Sequence, residues 1–277
     1  MALRGASGAY TTTNTGTASI TYAGANAIVA CDLIILDTCY RPGGFHPITD
    51  PAGFTAGASL TPALADQSFG TASHHIAVKI AVSADAGFPT YTQTASYVGS
   101  WAQQIRVYSG RVNSSVAAAF SNTAATAVGS ASSTPYSYPI TGVTALAGDD
   151  IVVFAGGVYS NVATAISTAI SGYANGVNTN DAAAGNQTFV DGLDLVNSPA
   201  GATGTLAASI TAGSAVTVTP GAFVLSLPSA SSASPKPVLS GGKLLISGGH
   251  IVTGAIFMPL SWSINRRNKL AAPRRKR

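Results

Sequence analysis

The sequence predicts an all-β protein, and three observations carry that prediction. All ten acidic residues are Asp, with no Glu anywhere; Glu is a good helix former and Asp a poor one. Charged residues make up only 9% of the chain, so exposed helices would lack the side chains that normally coat them. Apolar residues, 46% of the total, fall in short runs divided by turn residues, among 30 Gly and 14 Pro. That punctuation belongs to strands and hairpins. A helical bundle, a coiled coil and a chain disordered throughout are excluded on the same grounds. With 277 residues the chain can build one large all-β domain or two small ones, either with a substantial core.

Taken in order, residues 1–27 read as an N-terminal leader or arm, rich in Thr, Gly and Ala and without clear periodicity. The body is expected over 28–228. Its first strand is ACDLIILDTCY at 30–40, whose unbroken apolar block Leu33–Leu36 fits a strand covered on both faces. From His74 to Val82 the pattern alternates: His74, Ile76, Val78, Ile80 and Val82 share one face, and His75, Ala77, Lys79 and Ala81 the other. Trp101, Gln103, Ile105 and Val107 likewise oppose Ala102, Gln104, Arg106 and Tyr108. The stretch 112–148 has no charge and is read as strand and loop, despite its run of alanines. A turn at Gly148-Asp149-Asp150 leads into a strand from Ile151, and Phe223, Leu225 and Leu227 share one face of another. Strands of this length and spacing predict an antiparallel β-sandwich or jelly roll.

PSASSASPKP at 228–237 is the clearest boundary, a semi-extended Pro/Ser linker assigned to 229–237. Residues 238–277 hold three apolar runs and a basic end. Forty residues do not readily form a core alone, so they are expected to act as an extended β arm that packs on another copy or another protein. Leu244–Ile264 is uncharged and followed by Arg266 and Arg267, the pattern of a membrane span. Gly248, Gly249, His250, Gly254 and Pro259 break it, so a pair of strands is expected there and no membrane partner.

Charge is divided unevenly. Residues 1–194 carry all ten Asp against five bases, a net of −5, whereas 195–277 carry nine bases and no acid, a net of +9. Seven of those bases, Arg266, Arg267, Lys269, Arg274, Arg275, Lys276 and Arg277, crowd the end of the chain. A tail of this kind has its own partner or merely solubilises; the partners left open are an acidic face of a neighbouring subunit and packaged DNA. Cys31 and Cys39 would lie about 26 Å apart on one continuous strand, too far for a disulfide, and are read as two small buried hydrophobes.

The sequence is poor in groups that do chemistry. Adjacent His74 and His75 point to opposite faces of a strand and cannot chelate one metal together. HExxH, CxxC, GxSxG and phosphate-loop patterns are missing. Asp149 and Asp150 read as turn-capping residues, and Asp191 and Asp194 lack the dense oxygen loop of a calcium site. No enzyme, cofactor or metal is therefore expected. Trp101 falls in core phase, and Tyr108, Tyr136, Tyr138 and Tyr159 are the candidate ligand-facing aromatics, weighed against core or rim positions.

Several short motifs together resemble a recurring layout in virion structural proteins of tailed bacteriophages. They are DLIIL at 32–36, PAGFT at 51–55, HIAVKIAV at 75–82, YT at 91–92 and WAQQIRVYSG at 101–110. ITGVTALAGDDIVVF at 140–154 and GAFVLSL at 221–227 continue the layout. Phe54 stands where the layout has Trp, and Asp32 lacks its preceding Gly. The resemblance implies a β-sandwich carried on a virus particle and brings no catalytic residues with it. The expected function is a non-enzymatic capsid decoration subunit, a homo-oligomer located in the virion and contacting other virion proteins such as the major capsid or tail proteins. The alternatives are a tail component and a receptor- or carbohydrate-binding module.

Overall fold

The computed structural model describes residues 2–42, 46–69, 72–109, 115–127, 135–160, 166–180, 187–212, 217–228, 238–240 and 243–245. The chain divides into two compact units, Met1–Ala233 and Ser234–Arg277. The first unit is all-β and antiparallel, as expected. Its first sheet holds β1 (Ala2–Thr21), β2 (Leu33–Arg41), β3 (Ile48–Thr49), β4 (Thr55–Ala56), β5 (Gln67–Ser68), β6 (Ser73–Ile80) and β7 (Thr90–Ser109). The main path across it runs β1-β7-β2-β6-β4, with β3 beside β7 and β5 beside β6.

The later strands are β8 (Asn122–Ala127), β9 (Tyr136–Ile140), β10 (Thr144–Ala145), β11 (Asp150–Tyr159), β12 (Ile166–Ile170) and β13 (Ala174–Asn180). After them come β14 (Gln187–Leu195), β15 (Gly201–Ala202), β16 (Leu206–Ala212) and β17 (Val218–Leu227). They form a second sheet, β13-β14-β11-β17-β8, a third, β12-β16-β9, and the small ladder β10-β15. The alanine run yields one 3-10 turn, Ala117–Ala119, before β8. In the second unit β18 (Val238–Ser240) pairs antiparallel with β19 (Lys243–Leu245); the rest of the expected arm lies outside the described residues.

The second sheet is central, and the alternation of its strands shows why. Val152 and Phe154 of β11, with Phe223, Leu225 and Leu227 of β17, pack against Leu33, Ile35, Ile76 and Val78 of the first sheet. Ile151 and Val153 point the other way, with Val224 and Phe189, onto Ile140, Ile166, Leu206 and Ile210 of the third sheet. Period-two alternation therefore supplies two cores, and β11 is buried along its whole length. Two layers were expected from sequence; three are present. The opposite face of the first sheet is covered too: Ile34, Leu36, Ile105 and Val107 meet Ile20, Tyr22, Ile28 and Tyr91. The block Leu33–Leu36 is thus covered on both sides, as its continuity predicted, and Trp101 is fully buried beside Tyr40.

Two expectations need correction. Residues 2–21 are not a leader but β1, a twenty-residue strand paired with β7 from Ala2↔Ser109 to Thr21↔Thr90. Its period was masked by register shifts between Leu3 and Gly5 and between Thr11 and Thr17, because each irregularity breaks the alternation that reveals a strand. Of the two cysteines, Cys39 is buried, but Cys31 is exposed. It precedes β2 in a left-handed backbone conformation, with φ at +73°.

Candidate functional site

The chemically distinctive region lies inside the body, in a polar seam between the first and central sheets. Asp37, Cys39 and Arg41 continue the core-facing row of β2 that begins with Leu33 and Ile35. His74 of β6 shares that side: its Nε2 lies 2.7 Å from Asp37 Oδ1 and its Nδ1 3.1 Å from Gln67 Oε1. The Gln67 amide nitrogen donates to the carbonyls of Thr126 and Ala222 at 2.9 and 2.8 Å. Its oxygen is therefore the acceptor and His74 Nδ1 the donor. The other ring nitrogen, Nε2, faces the Asp37 carboxyl, which burial pushes above its ordinary range.

Further along the seam, Arg106 of β7 reaches Asp194 of β14. Its Nη2 lies 2.5 Å from Oδ2, Nη1 donates to Gly192 O at 3.0 Å, and Nε donates to the Tyr108 hydroxyl at 2.9 Å. Tyr108 in turn donates to the other Asp194 oxygen at 2.8 Å. Burial opposes the Arg106 charge, but Tyr108 and Asp194 outweigh it and hold the proton firmly. Glycines on the central sheet make room for these side chains. A Cβ on Gly156 would stand 2.7 Å from His74 Nε2, and Cβ atoms on Gly192 and Gly221 would strike Gln104 and Gln67. Large polar groups on one sheet thus sit over bare backbone on the next, which sets how the two faces interlock.

The far side of the first sheet carries two further clusters. His75 Nδ1 lies 2.7 Å from Asp66 and Nε2 3.0 Å from Asp50, so two loops are tied to β6 through one imidazole. Gln93 donates to Asp50 at 2.9 Å and accepts from Thr38 and Gln103 at 2.6 and 2.7 Å. Burial works against charge on the ring, but the two carboxylates prevail and hold His75 at about 9. Because the folded state keeps a proton that an unfolded histidine releases near 6.5, this staple stabilises fully below about pH 6.5. Its contribution will disappear as pH climbs through about 9. Thermal unfolding between pH 6 and 10 should show the decline, and His75→Gln should flatten it; an unchanged profile in that variant would assign the effect elsewhere. Nearby, Lys79 lies 2.7 Å from Asp85, which also accepts from Val82 N–H and the Tyr91 hydroxyl. Against burial, these partners hold Asp85 below the usual carboxylate range.

Asp191 faces the third sheet. Its Oδ2 accepts the Thr168 N–H of β12 at 2.6 Å, while Oδ1 is buried without a hydrogen bond. Burial pushes this carboxyl up to about 7, hydrogen bonding from Thr168 offsets part of that, and the charge of Asp37 adds to it. The folded state therefore holds a proton that an unfolded Asp gives up near pH 4. Stability should fall as pH rises from about 4 to about 7 and level off beyond. Urea midpoints measured at pH 4.5, 6 and 7.5 will separate wild type from Asp191→Asn, in which this slope should vanish; a slope retained by the variant would overturn the assignment.

Three of the four candidate ligand-facing tyrosines are inside the protein. Tyr108 serves the seam, Tyr138 and Tyr159 belong to the core between the central and third sheets, and all three are at most 2% exposed. A buried ring presents no face to a ligand. Tyr136 is half-buried and stacks on Tyr138 at 6.1 Å. Among the described residues the exposed Tyr and Phe side chains are Tyr10, Phe88 and Tyr97. The basic set from Arg266 to Arg277 lies outside the described residues. Asp149 caps its turn as expected, accepting Leu146 N–H at 3.0 Å with Ser121 and Ser226 hydroxyls, beside Gly148 at φ +85°. Asp150 accepts Asn197 N–H at 2.9 Å.

The sequence reading missed the Arg106–Asp194 pair. Its only signal was an arginine in the phase of Tyr108, on a strand otherwise apolar or amide-bearing. Among the described residues no cluster of His, Cys or Asp has the arrangement of a metal site, and no helix is long and apolar enough to cross a membrane. Comparison with protein-family models, with curated proteins and with solved structures finds no match.

Proposed function

We propose that the chain is a non-enzymatic virion structural protein of a tailed phage, acting as a capsid decoration subunit that assembles with its own copies and with other virion proteins. One observation supports an assembled role most directly: no charged side chain described in the first unit is exposed. Asp32, Asp37, Asp85, Asp149, Asp150, Asp191, Asp194 and Arg106 are buried, and Arg4, Arg41, Asp50, Asp66 and Lys79 are half-buried. The described acidic residues therefore do not form an acidic surface that could receive the basic end by charge complementarity. What the body offers is a neutral surface of Ala, Ser, Thr and Gly. Charge is what usually keeps proteins apart in solution.

The edge of the first sheet fits the same reading. Edge strands are normally blunted by Lys, Pro or inward charges. Along its twenty residues β1 has one charge, Arg4, paired with Asp32 at 2.5 Å, and no proline. The phage assignment itself rests on the sequence layout described above.

Quantitative mass spectrometry of purified particles tests the proposal. Hundreds of copies per particle are expected of a decoration subunit, and removal of residues 238–277 should abolish incorporation while leaving a β-rich body. A handful of copies would replace decoration by a tail component. Absence from particles would overturn the virion assignment.

A further inference from the structure

The described cationic groups are almost all matched from within: Arg4 by Asp32, Lys79 by Asp85, Arg106 by Asp194 and His75 by Asp50 with Asp66. Arg41 is the exception. It is half-buried at the end of β2, on the row that faces the central sheet, and among the described residues it makes neither an ion pair nor a hydrogen bond. It lines a cavity of about 280 Å³ where the first and central sheets end, with Phe69, Tyr159, Ser160, Thr217 and Thr219. A guanidinium partly removed from water without a counter-ion is unfavourable, and an incoming anion would relieve it.

The geometry points to this cavity as a binding site for a carboxylate carried on a small hydroxylated molecule, of the uronic acid class, with Arg41 as its counter-ion. Three features select that chemistry. The planar fork of Arg matches a carboxylate through two parallel hydrogen bonds. With a single cation in the lining, a monoanion balances the charge and a dianion exceeds it. The rest of the wall is hydroxylic. Ser160 Oγ accepts the Thr217 N–H at 2.9 Å, and Ser160 N–H donates to Thr217 O at 2.8 Å. This exchange fixes the rim, and among the described residues the Ser160 hydroxyl proton has no acceptor. Thr217 brings a second hydroxyl. Buried Phe69 and Val158 supply an apolar floor. The volume suits one sugar-sized group, since drug-sized ligands take roughly 300–1,000 Å³.

Isothermal titration of the full chain with glucuronate, with glucose and with sulfate at matched ionic strength tests the site. Glucuronate should bind saturably at one site, glucose should bind at least tenfold more weakly, and Arg41→Gln should lose at least tenfold in glucuronate affinity. Arg41→Lys, which keeps the charge but loses the fork, should fall between them. No saturable glucuronate binding by the wild-type chain overturns the proposal, whatever the variants do. So does equal binding of glucose, or an Arg41→Gln variant that binds as wild type. Sulfate binding as tightly as glucuronate would overturn the carboxylate assignment.

Discussion

Arg106→Met will destabilise the body by about 3–5 kcal/mol, the usual cost of leaving one half of a buried ion pair without its partner. Methionine approximates the aliphatic stem, so packing is largely kept and the loss is electrostatic. Asp194 would keep the Tyr108 hydroxyl at 2.8 Å but lose its cation, and Gly192 O would lose the donor at 3.0 Å. Both are buried, so water cannot substitute cheaply. The companion experiment is the double variant Arg106→Met with Asp194→Leu. Removing both charges together should restore much of the loss, because an ion pair replaced by apolar groups is often near neutral. Urea unfolding monitored by tryptophan fluorescence reads both variants, Trp101 being fully buried. A loss below about 1 kcal/mol for the single variant would place the pair with weak, solvated surface bridges.

Phe223→Ala should be comparably damaging, about 3–5 kcal/mol by the usual range for a core aromatic. Phe223 is wholly buried on β17, opposite Phe154 of β11, and its ring centroid lies 4.5 Å from that of His74. Truncation would open a cavity beside the Asp37–His74–Gln67 chain as well as remove apolar contact. The central sheet is pinned between two cores and cannot slide to fill the gap, so relaxation will be limited. Val82→Ala is the control: Val82 is 53% exposed and should change stability by no more than about 0.5 kcal/mol. Equal effects from the two substitutions would contradict the layer assignment.

Alternation and turn chemistry were legible in the sequence, and they located segments of β2, β6, β7, β11 and β17, although β7 begins at Thr90 rather than Trp101 and β17 at Val218 rather than Phe223. They worked because each strand repeats its apolar side chains every second position over a covered face. The third layer was not legible. Apart from Leu206, β12 and β16 consist of Ile, Ala, Ser and Thr, residues equally at home in a loop, and their neighbour Phe189 on β14 shows what their isoleucines cover. β1 escaped for the related reason that its register shifts broke the period. The polar seam escaped because its members are far apart in the chain: His74 meets Gly156, and Arg106 meets Asp194. The same is true of Arg41, whose surroundings come from the ends of three strands. Composition did mislead in one respect. Ten Asp looked like an acidic surface, whereas the fold spends those described on caps, staples and interior pairs.

The placement of β1 sets an order on the making of the protein. Ala2–Thr21 is made before the other strands of the first sheet, yet among the described residues its ladder partner is β7, which begins at Thr90. Closing that loop costs chain entropy before any β1 hydrogen bond can repay it. Until then the N-terminal segment is a nearly uncharged strand with both edges open, the state most exposed to pairing with the wrong chain. The partners β11 and β14, or β12 and β16, close shorter loops, from Tyr159 to Gln187 and from Ile170 to Leu206. The earliest-synthesised strand of the first sheet is thus among its last to be secured, and crowding during translation bears on β1 before the rest of that sheet.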